Sequence, residues 1–261
     1  MRREFSFLLA LWKANLLAAM EYRASFLTQI IGMTLNNIVY FLIWVIFFQQ
    51  FKEVRGWGLD DMFLVFGIVA AGFGASVFLF GNLTRLAEVI VSGRLDYYLA
   101  LPRPVLLHAL ASSSSASGLG DFTYGVVSFM VVAGLQPAYW LRFVVGTLLA
   151  MTVLISFLVA VQSLAFWIGS AQLLSAQAVN AMITFSIYPL TLFDGTAKLL
   201  LFTVVPAALV GAVPAEFVRG FSWLALARML LGALVFLALA LLLFRRGLRR
   251  YESGSAFQIQ V

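Results

Sequence analysis

FLTQIIGMTLNNIVYFLIWVIFF, residues 26–48, runs for 23 positions between Arg23 and Lys52 without a charged side chain. About 20 consecutive apolar residues are enough to cross the hydrocarbon core of a bilayer as a helix. This stretch therefore reads as a membrane span, and it sets the solvent for the rest of the chain. The composition agrees: 63% of the 261 residues are hydrophobic and 11% charged, with a mean hydropathy of +1.01, whereas soluble domains carry roughly 25% charged residues. At this length about six spans with short connections fill one domain, residues 1–261, and leave no room for a second, water-soluble one.

A charge at the bilayer centre costs about 2.5–3.5 kcal/mol, so the gaps between charges locate further spans. Residues 62–81 lie between Asp61 and Arg85, and residues 105–133, rich in Ser and Gly, contain only Asp121. The uncharged stretch after Arg142 is too long for one helix and divides at GSAQLLSAQ, 169–177, into spans at 143–168 and 178–193. The last span is 223–244. Pro206 and Pro214 split the apolar segment between 195 and 218 into halves too short to cross, so it reads as a re-entrant helical hairpin on the outer side.

Six crossings put both basic ends on one side. Eleven Lys and Arg residues then face inward, against Lys52, Arg55, Arg142, Lys198 and Arg219 outside, the bias expected of cytoplasmic loops. Topology thus accounts for most of the net charge of +6 without nucleic acid. Cysteine is absent and His108 is the single histidine, which excludes disulfides, thiolate metal sites and multi-histidine clusters. Residues 1–22 read as an interfacial amphipathic helix. Phe5, Leu8, Leu9, Trp12 and Leu16 share a face, Phe7 and Leu11 lie off it, and Arg2, Arg3 and Lys13 can meet headgroups. A cleaved signal peptide is the alternative, opposed by Lys13 and Asn15, which interrupt its apolar run.

The inner connection NLTRLAEVIVSGRLDYYLALPRPV, 82–105, carries its own order. Asn82 can cap a helix whose apolar stripe is Leu83, Leu86, Val89 and Ile90, and Gly93 can supply a left-handed stop. A second short element, 95–101, ends at Pro102 and Pro104. The segment is either an interfacial connector or a docking surface, offering Glu88, Arg94, Asp96, Tyr97, Tyr98 and Arg103 to a protein partner.

The GRLDYYLALPRPV part, 93–105, is similar to the cytoplasmic coupling segment between spans two and three in the membrane subunits of type 2 ABC (ATP-binding cassette) exporters. The N-terminus resembles that family's elbow helix. YPLTLFDG, 188–195, with VVPAALVGAVPAE, 204–216, resembles its extracellular re-entrant pair. The resemblance implies an all-α permease of six transmembrane helices in the cell membrane of a bacterium, with both termini cytoplasmic. It implies a homodimer, or a heterodimer with a related permease, with the path between the two copies. A separate ATPase subunit would dock on the coupling segment. ATP and Mg would bind there and no cofactor to this chain, whose sequence contains no G-x-x-x-x-G-K-[ST].

Two other classes stay open: an ATP-independent channel or secondary carrier, and an intramembrane aspartyl protease. The protease reading rests on the GxGD match at Gly118, Leu119, Gly120 and Asp121, whose chemistry needs a second carboxylate, with Asp194 the nearest candidate. His108 and Ser112, four apart, form a weaker nucleophile reading than a helix-end histidine facing headgroups. An ionisable group inside a membrane faces a cavity or a partner. Asp121 is therefore paired either with Arg228 or with a polar substrate path that also holds Asn36, Asn37, Ser117, Tyr124 and Arg228. The small residues from Ser112 to Gly120 predict close helix packing. No residue selects among lipids, drugs, peptides and lipid-linked glycans as cargo.

Overall fold

The computed structural model describes residues 2–168 and 171–252. Thirteen α-helices follow one another among them, and the one β interaction is an isolated bridge between Val54 and Trp57. They are α1 (Arg2–Glu21), α2 (Arg23–Gln50), α3 (Leu59–Leu79), α4 (Leu86–Val91), α5 (Leu95–Leu99), α6 (Val105–Ala111) and α7 (Ser117–Ala133). After these come α8 (Pro137–Gln162), α9 (Ala165–Ile168), α10 (Gln172–Ser186), α11 (Gly195–Thr203), α12 (Ala212–Arg219) and α13 (Trp223–Leu248). Among the described residues four units are long and apolar enough to cross a membrane: α2, α3, α8 continued by α9, and α13. The halves of the proline-divided segment bend by 67° against each other, since a proline lacks the N–H that would continue a helix.

Helix α3 lies at the centre, with 72% of its apolar window buried. It meets α7 through reciprocal glycines. A Cβ on Gly118 would stand 2.5 Å from the Gly74 carbonyl, and one on Gly125 would stand 2.6 Å from that of Gly67. Lipid tails are as apolar as leucine, so helices in a membrane gain little from burying leucine; close approach of backbones supplies the contact instead. Ser128 Oγ adds a hydrogen bond across the pair, donating to the Phe63 carbonyl at 3.0 Å. On the far side of α7, Gly120 admits the Ile30 carbonyl of α2, and Thr34 Oγ1 donates to the Gly120 carbonyl at 3.2 Å. A second layer forms where α8 packs on α13, with Phe157 edge-on to Phe236. Gly146 and Gly232 leave room for Pro214 and Leu209 of the bent segment.

Polar contacts gather at two ends. At one, Asp61 closes the start of α3 by accepting from the Gly58 N–H at 2.8 Å, and its other oxygen meets Arg219 Nε at 3.0 Å. Arg142 donates to the Val218 carbonyl and Arg55 to Asp194 at the same end. At the other end, Trp12 Nε1 donates to the Leu79 carbonyl at 2.7 Å, Asn15 to the Ala111 carbonyl at 3.0 Å, and Arg103 pairs with Glu4 at 2.8 Å.

Several expectations change. The helix over 105–133 is interrupted: α6 ends at Ala111 and α7 starts at Ser117. Between them the Ser113 carbonyl accepts from the Gly81 N–H at 2.8 Å, and the Ser115 N–H donates to the Val77 carbonyl at 3.1 Å. The serine backbone is thus satisfied by the end of α3 rather than by its own helix. Asn82 caps no helix; its amide donates to the Ala109 carbonyl and Ser112 Oγ, both at 2.8 Å. In 178–193, helix already runs from Gln172 and stops at Ser186, before Pro189. Gly169 and Ser170 of the dividing stretch lie outside the described residues. On α1, Leu8 is buried with Phe7 and Leu11 half-buried beside it, while Phe5 and Leu9 are exposed. The inner face is thus turned toward the side holding Asn15, because Asn15 and Trp12 find carbonyl partners there.

Replacing Gly118 by Val should force α3 and α7 apart, an overpacking cost of about 1–3 kcal/mol. Thermal unfolding of the purified protein is expected to begin several degrees lower, while Gly32→Ala, with open space at its Cβ, leaves it unchanged.

Candidate functional site

Two features collect the candidate residues. The first is the 82–105 hairpin. Leu83, Leu86, Val89 and Ile90 are all buried, as the apolar stripe predicts, and Gly93 turns the chain with φ +75. What fixes the hairpin to the bundle is Gln162, buried to 1% exposure at the end of α8. Its Oε1 accepts from the Ala87 N–H at 2.8 Å and its Nε2 donates to the Leu83 carbonyl at 2.9 Å. A glutamine isolated in an apolar run is the signal that would have found it.

The six hairpin candidates divide. Glu88 and Arg94 pair at 2.6 Å on the outer surface, and Tyr97 stands exposed. The other three turn to the body of the protein. Arg103 bonds Glu4 and covers the Phe7 ring at 4.6 Å, and the Tyr98 hydroxyl meets Ser112 Oγ at 2.7 Å. Asp96 lies near Tyr251, just beyond α13; burial first and this carboxylate next push the Tyr251 phenol up to about 12. His108 is enclosed by the rings of Phe7, Tyr97 and Tyr98 instead of facing headgroups. Ser112 Oγ lies with Asn82 and Tyr98, so the nucleophile reading finds no support in the hydrogen bonding.

The second feature is a groove along α2. Three cavities of about 690, 260 and 500 Å³ adjoin in series. The first, at the hairpin end, is lined by Ser113 to Ser117 with Arg85; the second by Asn36, Asn37, Asp121, Asn180 and Thr184; the third by Trp44, Phe47, Phe48 and Tyr188. Met33, Phe73 and Asp121 are walls of both the first and second, and Tyr40, Phe66, Thr184 and Ile187 of both the second and third. Asn36, Asn37, Ser117 and Asp121 therefore fall along one groove. Tyr124 lies behind it, buried with Phe41, Met62, Phe66 and Ala70. Asn180 and Thr184 were missed by the sequence reading, although two polar residues four apart in an apolar segment mark one face of a helix.

Asp121 is 3% exposed. Asn37 Nδ2 donates to its Oδ1 at 2.6 Å and also to the Met33 carbonyl at 3.0 Å, while Oδ2 is buried without a partner. Its pairing with Arg228 is not formed: Arg228 is exposed on α13, where its charge acts on Glu216 of α12. Asp194, the second carboxylate needed by the protease reading, is bound to Arg55 at the far end. The glycines of the GxGD match serve close helix contact, Gly118 with α3 and Gly120 with α2.

Compared with known proteins, residues 34–255 match the model of a family described as ABC-2 family transporter protein. No curated protein and no solved structure matches the chain.

Gln162→Leu keeps the volume but strands an N–H and a carbonyl in a buried place, a loss of about 1–3 kcal/mol. Amide exchange at Ala87 should accelerate by tenfold or more. Glu88→Ala, which removes an exposed ion pair of little net worth, should leave that amide protected.

Proposed function

Since the chain belongs to the ABC-2 family of transporter proteins, we propose that it is the permease subunit of an ATP-driven exporter, driven by a separate ATPase. The observation that carries this reading is the hairpin. It is held rigidly to the bundle by Gln162 while Glu88, Arg94 and Tyr97 project from it. An aromatic residue flanked by both signs of charge on a fixed support suits a protein partner, because little ordering entropy remains to be lost on docking. ATP and Mg would be held by that partner, with no cofactor on this chain. Tyr98 and Arg103 then serve as internal ties of the docking element to Ser112 and α1.

Six crossings of a cell membrane with both termini in the cytoplasm complete the proposal. The ion pair of α1 with the hairpin and the nearness of Tyr251 to Asp96 support it, since they bring both ends of the described chain to one side. The bent α11 and α12 form the outer re-entrant pair. Helix α2 supports a permease dimer, homomeric or with a related chain: only 6% of its apolar window is buried within one copy. Closure of two ATPases would rock the spans between inward and outward openings.

Affinity purification of the full chain from its own membrane tests the reading. An ATPase subunit should accompany it, and the combined changes Tyr97→Ala and Glu88→Ala should cut the recovered ATPase about tenfold with membrane insertion intact. A chain that reproducibly purifies alone, and transports without nucleotide, is a channel or carrier instead.

A further inference from the structure

The groove carries chemistry that selects among cargoes. In its second and third cavities, about 260 and 500 Å³, Asp121 is the only charged lining residue among the described residues. The remaining walls are uncharged: Asn36, Asn37, Asn180 and Thr184 add neutral polar groups, and the rest are aromatic and aliphatic, with Tyr40, Phe66, Trp44 and Tyr188 among them. The carboxylate is fixed from one side only, Asn37 holding Oδ1. Its second oxygen is buried without a partner in a residue that walls two cavities. A buried carboxylate oxygen without a donor is costly, and in a membrane such a group faces a partner or a passing ion. Aromatic faces favour positive charge over negative by their quadrupole. Arg85, the one cationic side chain lining the three cavities, sits at the hairpin mouth, and the serines of 113–117 line the space beyond it.

We propose that the groove binds lipophilic organic cations, with Asp121 as the counter-charge to their positive centre and the aromatic walls of the third cavity receiving their apolar body. The first and third cavities, about 690 and 500 Å³, are of the size that takes drug-like molecules, and the second joins them. Asn37 is a positioning residue: bonded at once to Oδ1 and to the Met33 carbonyl, it fixes the Asp121 side chain in the wall shared by two cavities. This assignment rests on the permease reading for its purpose but not for its test, which needs no ATPase and no nucleotide.

The full chain in lipid nanodiscs is titrated with tetraphenylphosphonium and with tetraphenylborate, ions of one shape and opposite charge, empty nanodiscs being subtracted. Saturable binding of the cation alone is expected, and Asp121→Asn, which keeps an acceptor for Asn37, should weaken it at least tenfold. Equal binding of both ions, cation binding untouched by Asp121→Asn, or no saturable cation binding would overturn the assignment. If the variant fails to fold, the unmodified chain decides. Dicyclohexylcarbodiimide labels buried membrane carboxylates, and tetraphenylphosphonium should slow labelling of Asp121 severalfold where tetraphenylborate does not; no protection overturns the proposal. An ATPase that co-purifies with a chain that binds no cation would leave the permease reading standing and remove only this one.

Discussion

In a solvent that rewards no hydrophobic burial, backbone-to-backbone approach of α3 and α7 through Gly74, Gly118, Gly67 and Gly125 is the contact on which the remaining structure depends. The approach brings the end of α3 beside the serines of 112–115, and Gly81 and Val77 then bond the backbone of Ser113 and Ser115. A continuous third helix becomes unnecessary there. It also fixes the rotation of α7, so that Gly120 and Asp121 face α2 and not the lipid. The groove, the serine-lined mouth and the position of the carboxylate all follow from that rotation.

The two ends of the molecule use a different physics. Away from the hydrocarbon, charged side chains close helix ends and tie elements together, as Asp61 does for α3 and Arg219, and Arg103 for α1. These pairs are partly exposed and individually worth little. Their effect is geometric: they set where α12 and the hairpin sit against helices whose packing has already been decided. The buried amide contacts of Gln162 differ, because no water replaces them if they break.

Much of this was legible in the chain. Charge gaps bounded α2 and α3 to within three residues, since a charge in lipid is expensive whatever the tertiary contacts, whereas α8 starts six residues before its expected span and takes Arg142 into its first turns. The hairpin stripe and the turn at Gly93 were equally readable from period and glycine. What could not be read were choices made by neighbours distant in sequence. Ser112 to Ser115 carry enough apolar context to continue a helix, and only the proximity of Val77 and Gly81 offers an alternative. The face of α1 depended on which carbonyls awaited Trp12 and Asn15. Asp121 took Asn37 over Arg228 because rotamer and rotation, not charge, decide who is within reach.

The attachment by Gln162 has a mechanical meaning. Apolar contacts between a connector and a bundle slide, so a push through them is spread and partly lost. Two hydrogen bonds from one side chain to two backbone atoms four residues apart act as a pinned joint, which transmits both thrust and pull. The joint is at the tip of α8, a rod of 26 residues and so about 39 Å long. Beside its opposite end Arg142 reaches the Val218 carbonyl of α12. On the permease reading proposed above, a displacement delivered at the hairpin would pass along a stiff lever and become a tilt at the far side of the protein, where the bent segment of α11 and α12 rests.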